Sequence, residues 1–127
     1  LSEADVKDAS VLGWCVEWLQ AFFLVADDLM DESVTRRGQP CWYRRPEVGT
    51  IAVNDSLLLE ALMYEIISKH FGDRGDTYIR VVDLFRKVTL RTELGQLLDL
   101  TSEKKAKEGG NGLDFSTFTE ETHRGIV

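Results

Sequence analysis

Proline and cysteine are scarce in this 127-residue chain, which contains two of each. Pro40 and Pro46 lie close together, so long helices can run undisturbed on either side of them. Cys15 and Cys41 lie far apart in the sequence and belong to no CxxC pair, so nothing indicates a disulfide framework. We therefore expect two free thiols in a reducing compartment, and a cytoplasmic protein.

The chain also lacks an excess of basic residues, a zinc signature and an uninterrupted apolar segment. Its net charge of -7 argues against a general nucleic-acid-binding protein, because phosphate contacts need a basic face. His70 and His123 form no zinc-binding pattern. The longest apolar run, Val11 to Ala26, contains Glu17 and Gln20 and is short for a membrane span. We expect a buried core helix there, and no membrane span.

Three predicted helices account for most of the sequence. Apolar residues make up 43% of the chain and charged residues 29%, which is typical of a soluble globular domain. Periodicity predicts a first helix from Leu12 to Asp31 that is apolar nearly all round and therefore buried. An ordered loop with room for a short helix follows from Glu32 to Ile51. Further helices are predicted from a cap at Asn54 or Asp55 to about Phe71, and from Thr77 to about Leu100.

No convincing strand pattern is present, so the predicted fold class is all-α. A polar loop is predicted from Lys104 to Gly112, followed by a helix capped by Asp114 or Ser116. The chain begins with leucine rather than methionine and stops within that last helix. We therefore expect a fragment of a longer polypeptide, with all 127 residues inside a single domain.

Carboxylates and arginines lie close together in the segment DDLMDESVTRR. On a helix, Asp27 and Asp31 stand on one face about 6 Å apart along the axis, and Asp28 points roughly 100° away. Two facing carboxylates repel each other unless a cation lies between them, and oxygen ligands suit Mg²⁺. Arg36 and Arg37 follow, and a guanidinium binds phosphate in a bidentate fork. The pattern predicts a metal-dependent diphosphate site.

Each part of this pattern also has an ordinary interpretation. An aspartate string alone is a weak signal, and an arginine pair in a loop is commonly a solvated surface. Gln20 projects from nearly the same side of the helix as Asp27, where a buried amide needs either a ligand or a backbone partner. Further along, a polar stripe on an oily helix is equally consistent with a cavity wall and with a solvent face; it contains Thr92, Gln96 and Asp99.

Three ordered blocks of sequence carry a family resemblance. The segment LQAFFLVADDLMDESVTRRGQPCWY closely resembles the first aspartate-rich region of farnesyl diphosphate synthases, which are short-chain trans-isoprenyl diphosphate synthases. The segment TELGQLLDL, from Thr92 to Leu100, resembles their next block, and the ND…LLLEA stretch from Asn54 to Ala61 fits between the two. The likeness covers essentially the whole chain and implies the all-helical isoprenoid synthase bundle, here truncated at both ends.

The resemblance also implies a reaction and a set of residues. The reaction would be head-to-tail condensation of isopentenyl diphosphate with dimethylallyl and geranyl diphosphate in a homodimer. Mg²⁺ would be bound by the aspartate motif: Asp27, Asp31 and, as part of the same motif, Asp28. The allylic diphosphate would contact Arg36, with Gln96 and Asp99 lining the cavity. Isopentenyl diphosphate would contact Gln20 and Arg37.

Phe22 and Phe23 are predicted to set the length of the product. Phe23 lies one turn before Asp27 on nearly the same face, and Phe22 lies roughly 100° round the helix. An isoprenoid tail that extends away from its diphosphate would run down this helix and meet the two rings. Two phenylalanines at these positions would also be expected from ordinary packing of a helix in a protein core. Only their register against Asp27 and the family resemblance favour the chain-length role.

Two rival functions remain open at this stage. The first is another enzyme with the same aspartate chemistry, such as a geranyl or geranylgeranyl diphosphate synthase or a terpene cyclase. The second is a non-catalytic truncated form or regulatory subunit. Family members carry an N-terminal GGKxxR-like segment, a catalytic lysine and a second aspartate-rich motif, none of which is found in this sequence. We therefore expect the fragment alone to be inactive.

Overall fold

A computed structural model of the chain describes residues 1–107, with side chains through Lys105. These residues are mostly helical, which confirms the all-α class. A two-stranded antiparallel hairpin and a short 3-10 helix lie between the first two long helices. The elements are α1 (Glu3–Met30), β1 (Thr35–Arg36), β2 (Gln39–Pro40), the 3-10 helix (Trp42–Arg44), α2 (Ile51–Phe71) and α3 (Asp76–Lys107).

Helix α1 begins at Glu3, so the predicted start at Leu12 is wrong. A capping box fixes this start: the Ser2 hydroxyl accepts from the Asp5 N–H at 3.1 Å, and the Asp5 carboxylate accepts from the Ser2 N–H at 3.2 Å. This arrangement satisfies two of the backbone donors that a helix start leaves unpaired. The predicted end is confirmed to within one residue, since Asp31 is the C-cap.

Helix α2 ends at Phe71 as predicted, but it begins at Ile51. Thr50 occupies the N-cap position without a side-chain capping bond, so the predicted cap at Asn54 or Asp55 is wrong. The Asp55 carboxylate instead accepts a 2.8 Å hydrogen bond from the indole N–H of Trp42. That bond ties the 3-10 helix to α2, and a contact between distant residues of this kind outweighs a local capping preference.

Helix α3 runs from Asp76 to Lys107, beyond the predicted end near Leu100. Lys104 to Lys107 are therefore helical rather than the start of a loop. The rest of the predicted polar loop and the predicted last helix lie outside the described residues. At the corner before α3, a side chain on Gly72 would place its Cβ 2.2 Å from the carbonyl oxygen of Ser68, so this position requires glycine.

Helices α1 and α2 pack against each other and share the buried apolar residues of the first part of the chain. The predicted burial of α1 on all sides is wrong for the described residues, because two packed helices cover only their facing stripes. Trp14 and Val16, for example, are exposed. The core side chains are Cys15, Leu19 and Phe22 from α1, Cys41 and Val48 from the connection, and Ala52, Met63, Ile67 and Phe71 from α2.

The length and apolar composition of α1 also satisfy the criteria for a membrane-crossing helix. Core helices of soluble proteins satisfy the same criteria, so this observation is weak on its own. The chain divides into two compact units, the first of which ends at Val82 while the second begins at Asp83 within α3. The single-domain assignment stays a prediction.

Candidate functional site

The acidic segment lies where α1 ends, and backbone hydrogen bonds fix the shape of that end. The Ser33 N–H donates to the Asp28 carbonyl at 3.0 Å, and the Glu32 N–H donates to the Leu29 carbonyl at 3.3 Å. This is a Schellman motif, which needs a left-handed residue after the cap. Glu32 adopts that conformation with φ of 54°, although glycine is the usual residue there. The chain therefore reverses immediately after Asp31.

The reversal leads into a hairpin that presents the arginine pair. Arg36 pairs with Gln39, and the two connecting residues, Arg37 and Gly38, have φ of 53° and 77°. Two positive φ values are what a type I′ turn requires, and Asn, Asp or Gly usually fill its first position. An arginine held in this conformation costs about 1–3 kcal/mol and is more common at functional sites than elsewhere.

Asp28 and Arg36 form the central contact of the site. Nε of Arg36 donates to Oδ2 of Asp28 and Nη2 donates to Oδ1, both at 2.7 Å. The Asp28 side chain is 6% exposed and that of Arg36 is 40% exposed. The fork from Arg36 lowers the pKa of Asp28 despite the opposing effect of burial. A buried carboxylate is tolerated when a charged donor pairs with it, so Asp28 is anionic and both of its oxygens accept hydrogen bonds from Arg36.

Asp27 and Asp31 are in a different environment from Asp28. Asp27 is half-buried and Asp31 is exposed. Burial raises the pKa of Asp27, and the nearby carboxylates of Asp31 and Asp28 raise it further. This mutual repulsion is what a bound cation would relieve. Within residues 1–105, however, no three acidic, histidine or cysteine side chains converge as a ready metal cluster.

Cys41 and Tyr43 also belong to this region, although no pattern in the sequence indicated a role for them. The Cys41 thiol is buried, and burial together with the nearby Asp28 carboxylate raises its pKa. The Tyr43 hydroxyl donates to the Ser33 carbonyl at 2.5 Å, and Nε of Arg44 reaches the same oxygen at 3.2 Å. Both residues fall within the segment that carries the family resemblance, which was the available signal.

The other predicted site residues differ in their surroundings. Gln20 is exposed, so its amide is not buried and needs no ligand or backbone partner. On α3, Gln96 is half-buried and Asp99 is exposed. The hydroxyl of Thr92 donates to the Val88 carbonyl of its own helix at 2.8 Å. Gln96 and Asp99 lie in the second compact unit, whereas the aspartate motif and both arginines lie in the first.

Phe22 and Phe23 are distinguished by their burial. Phe22 is 6% exposed and belongs to the core, while Phe23 is half-buried. Their ring centroids are 4.9 Å apart with the planes tilted by 39°, so the two rings form one aromatic block before the aspartates. Phe23 therefore has the more accessible ring, on the helix face of Asp27.

The chain is similar to known proteins over its whole length. The polyprenyl synthetase family model matches residues 1–126. The farnesyl diphosphate synthase of Dictyostelium discoideum is 52% identical over 100% of this chain and 33% of its own length. The farnesyl pyrophosphate synthase of Saccharomyces cerevisiae is 49% identical over 100% of this chain and 34% of its own. The chain thus spans about a third of the length of these curated relatives.

Solved structures give the same result for the fold. The farnesyl diphosphate synthase of T. brucei matches with 48% sequence identity and a TM-score of 0.72, over 75% of this chain and 27% of that one. The same enzyme in complex with the bisphosphonate BPH-1326 matches with 46% identity and a TM-score of 0.75, over 79% of this chain and 34% of that one. The chain therefore belongs to the polyprenyl synthetase family and has part of the helical fold of the farnesyl diphosphate synthases.

Proposed function

We propose that the full-length protein containing this chain is a farnesyl diphosphate synthase, a prenyltransferase that joins isopentenyl diphosphate head-to-tail to dimethylallyl and geranyl diphosphate. The observation that carries this proposal is the placement of Arg36 by Asp28 immediately beside the Asp27 and Asp31 pair. Such a site can neutralise a diphosphate from two sides. The similarity to farnesyl diphosphate synthases over the whole chain supports the proposal.

Asp27 and Asp31 would hold Mg²⁺. They stand one helical turn apart, and the pKa of Asp27 is raised by burial and then by the neighbouring carboxylate of Asp31, so the residues present fit a hard divalent cation. Mg²⁺ commonly takes one or two carboxylates and completes its shell with water and substrate phosphate oxygens, so no three-carboxylate cluster is needed. When bound, the metal neutralises charge on the departing diphosphate. Asp28 belongs to the same motif, but Arg36 already engages both of its oxygens.

The two arginines would bind the two substrates. The fork to Asp28 uses Nε and Nη2 of Arg36, which leaves the Nη1 edge for the allylic diphosphate. The turn residue Arg37 extends from the exposed tip of the hairpin, and its positive φ supports a functional role for it. We assign Arg37 and Gln20 to isopentenyl diphosphate, and the family resemblance alone assigns Gln96 and Asp99 to the allylic substrate.

Phe22 and Phe23 would limit the growth of the product. The growing tail would extend away from its diphosphate along α1, towards the aromatic block one turn before Asp27. The half-buried ring of Phe23 would meet the tail, and the buried ring of Phe22 would support it from the core. An apolar wall of this kind also keeps water away from the allylic carbocation before the double bond of isopentenyl diphosphate attacks it.

The full-length protein would be a cytoplasmic homodimer. Large apolar side chains on the surfaces of α1 and α2 are exposed, including Trp14 (66%) and Leu58 (50%). Large exposed apolar residues on a protein surface indicate contact with further protein, which is either more of the same polypeptide or a second copy of it. The molar mass of the full-length protein in solution tests this assignment, and a value equal to a single chain would contradict it.

Product analysis tests the proposed reaction. The full-length protein is incubated with isopentenyl diphosphate, dimethylallyl diphosphate and Mg²⁺, and the dephosphorylated products are separated by chain length. We expect the fifteen-carbon product. A ten-carbon or twenty-carbon product would assign the protein to geranyl or geranylgeranyl diphosphate synthesis instead. A cyclic hydrocarbon would indicate a terpene cyclase, and the absence of any product would favour a non-catalytic subunit.

A further inference from the structure

The backbone carbonyl of Ser33 is held by two side chains of the 3-10 helix. The Tyr43 hydroxyl donates to this oxygen at 2.5 Å, and Nε of Arg44 donates to it at 3.2 Å. Nε of Arg44 also lies 3.2 Å from the Tyr43 hydroxyl oxygen, so the three groups contact one another in a closed triangle. The Arg44 guanidinium lies 5.6 Å over the Tyr43 ring, which keeps the two side chains together.

Ser33 is held through its N–H as well, which donates to the Asp28 carbonyl at 3.0 Å in the last turn of α1. One residue therefore links the end of α1 to the 3-10 helix. The 3-10 helix is in turn tied to α2 by the 2.8 Å hydrogen bond from Trp42 to Asp55. The path of the chain after Asp31 thus depends on a series of hydrogen bonds that begins in α2.

The contact between Tyr43 and Ser33 closes the loop that carries both arginines. The two residues are ten positions apart, and the hairpin lies between them. Each strand of this hairpin has two residues, all of them exposed, and strands this short are marginally stable by themselves. Arg36 has a further anchor in its fork to Asp28. Arg37 is the exposed turn residue, so its position follows that of the hairpin backbone.

We propose that Tyr43 is a positioning residue for isopentenyl diphosphate: its hydroxyl holds Ser33 and thereby fixes the hairpin that presents Arg37 to this substrate. This inference rests on the proposed function, because it assigns Arg37 to isopentenyl diphosphate. Without the hydrogen bond, the base of the loop would be held less firmly. The tip of the hairpin would then have to be ordered at each binding event, which weakens binding.

Steady-state kinetics of Tyr43→Phe in the full-length protein test the proposal. The change removes only the hydroxyl and keeps the ring beneath Arg44. We expect the KM for isopentenyl diphosphate to rise roughly three- to tenfold, the effect of losing one hydrogen bond. The KM for the allylic diphosphate should rise less, because Arg36 keeps its fork to Asp28. The Mg²⁺ concentration for half-maximal rate should not change, because Asp27 lies in α1, outside the loop.

Tyr78→Phe is the matched control. Tyr78 is also half-buried, but it lies in the first turn of α3, so loss of its hydroxyl should leave both KM values unchanged. A double variant shows whether Tyr43 acts through Arg37. In an Arg37→Ala background, Tyr43→Phe should have no further effect on the KM for isopentenyl diphosphate, because coupled residues are not additive. Equal effects in both backgrounds, or a lower Tm with unchanged KM values, would overturn the positioning role.

Hydrogen–deuterium exchange tests the same contact without any substrate. The backbone amides of residues 33–41 should exchange faster in Tyr43→Phe than in wild type or Tyr78→Phe, while those of α2 should exchange at the same rate in all three proteins. This measurement decides whether Tyr43 holds the hairpin even if the proposed reaction fails, because it requires no turnover. Equal exchange of residues 33–41 in the three proteins would show that the hydroxyl does not hold the loop.

Discussion

Nε2 of His70, in the last turn of α2, lies 2.8 Å from Oδ1 of Asp8 in the first half of α1. Nη1 of Arg74 donates to the other oxygen of Asp8 at 2.6 Å. Both partners also contact Phe71: the His70 ring meets it edge-on, and the Arg74 guanidinium lies over it. A polar cluster built around Asp8 therefore joins the two helices at the end of the pair away from the aspartate motif.

The Asp8 cluster should make stability depend on acid pH. Hydrogen bonds from Arg74 and then from His70 hold the pKa of Asp8 at about 2, below its ordinary value of 3.8. A depressed folded-state pKa stabilises the fold fully above the unfolded value, and this contribution is lost as the pH falls towards 2. We expect Asp8→Asn to lower the Tm of the full-length protein near neutral pH, with a difference from wild type that shrinks below about pH 4.

Asp83→Asn is the control for this measurement. Asp83 pairs with Lys87 at 2.9 Å one turn along α3, and both side chains are exposed, so its loss should change the Tm little at any pH. A difference between wild type and Asp8→Asn that is constant down to about pH 2 would contradict the assigned pKa of Asp8.

Substitutions of Arg36 and Arg37 should affect the binding of different substrates. Arg36→Lys should mainly raise the KM for the allylic diphosphate, and Arg37→Lys that for isopentenyl diphosphate, because a lysine ammonium does not present the planar set of donors with which a guanidinium binds a phosphate. Arg45→Lys serves as the control, since Arg45 lies in the same connection but is placed 5.7 Å over the ring of Trp42. Steady-state kinetics of the full-length variants measure this. Equal shifts of both constants in each variant would mean that the arginines do not divide the substrates.

Phe22 and Phe23 should respond differently to replacement by alanine. Loss of the buried Phe22 ring should lower the free energy of unfolding by about 3–5 kcal/mol. Loss of the Phe23 ring should lower it less, because the Phe23 site is already partly open. Phe23→Ala, alone or with Phe22→Ala, should lengthen the product by further five-carbon units. Phe71→Ala is the control, a buried ring at the far end of α2 that should destabilise the protein without changing the product. An unchanged product from the double variant would mean that both rings are simply core.

The isolated 127-residue chain should not turn over substrate. Within the described residues, the proposed diphosphate site has two facing carboxylates and the arginine pair, and no three side chains converge there as a metal cluster. The resembling family also uses a catalytic lysine and a second acidic motif, and neither is found in this sequence. Pyrophosphate release in the presence of both substrates and Mg²⁺ measures this. Sustained release above a protein-free control would contradict the expectation.

Local patterns in the sequence predicted the helices better than their starts. Apolar periodicity located α1, α2 and α3, and the break at Gly72 separated the last two. The start of α1 was missed because the capping box at Ser2 precedes a polar first turn with little apolar periodicity. The start of α2 was missed because Asp55 is used by Trp42, a partner in another element.

The parts of the site that the sequence did not predict depend on contacts between distant residues or on unusual backbone conformations. Asp27 and Asp31 follow from helical spacing alone. The fork between Asp28 and Arg36 requires a Schellman turn and a hairpin in which Glu32 and Arg37 take positive φ values, and neither residue type signals that conformation. The contact of Asp8 with His70 spans 62 positions, so no local pattern could indicate it.

The division of labour within the aspartate motif is the central claim about this site. Asp27, with Asp31, is assigned to Mg²⁺, whereas Asp28 is assigned to Arg36. Asp27→Ala should therefore reduce kcat/KM about 10²-fold or more, which corresponds to about 3 kcal/mol, because a direct metal ligand is lost. Asp28→Ala should instead act mainly through the KM for the allylic diphosphate.

The Mg²⁺ dependence of farnesyl diphosphate formation by the full-length protein distinguishes the two aspartates most directly. Initial rates are measured over a range of Mg²⁺ concentrations for wild type, Asp27→Ala and Asp28→Ala, with the allylic diphosphate saturating for each. We expect Asp27→Ala to need a much higher Mg²⁺ concentration for half-maximal rate, and Asp28→Ala to need the same concentration as wild type. Equal displacement of the Mg²⁺ requirement in the two variants would contradict the separate roles of Asp27 and Asp28.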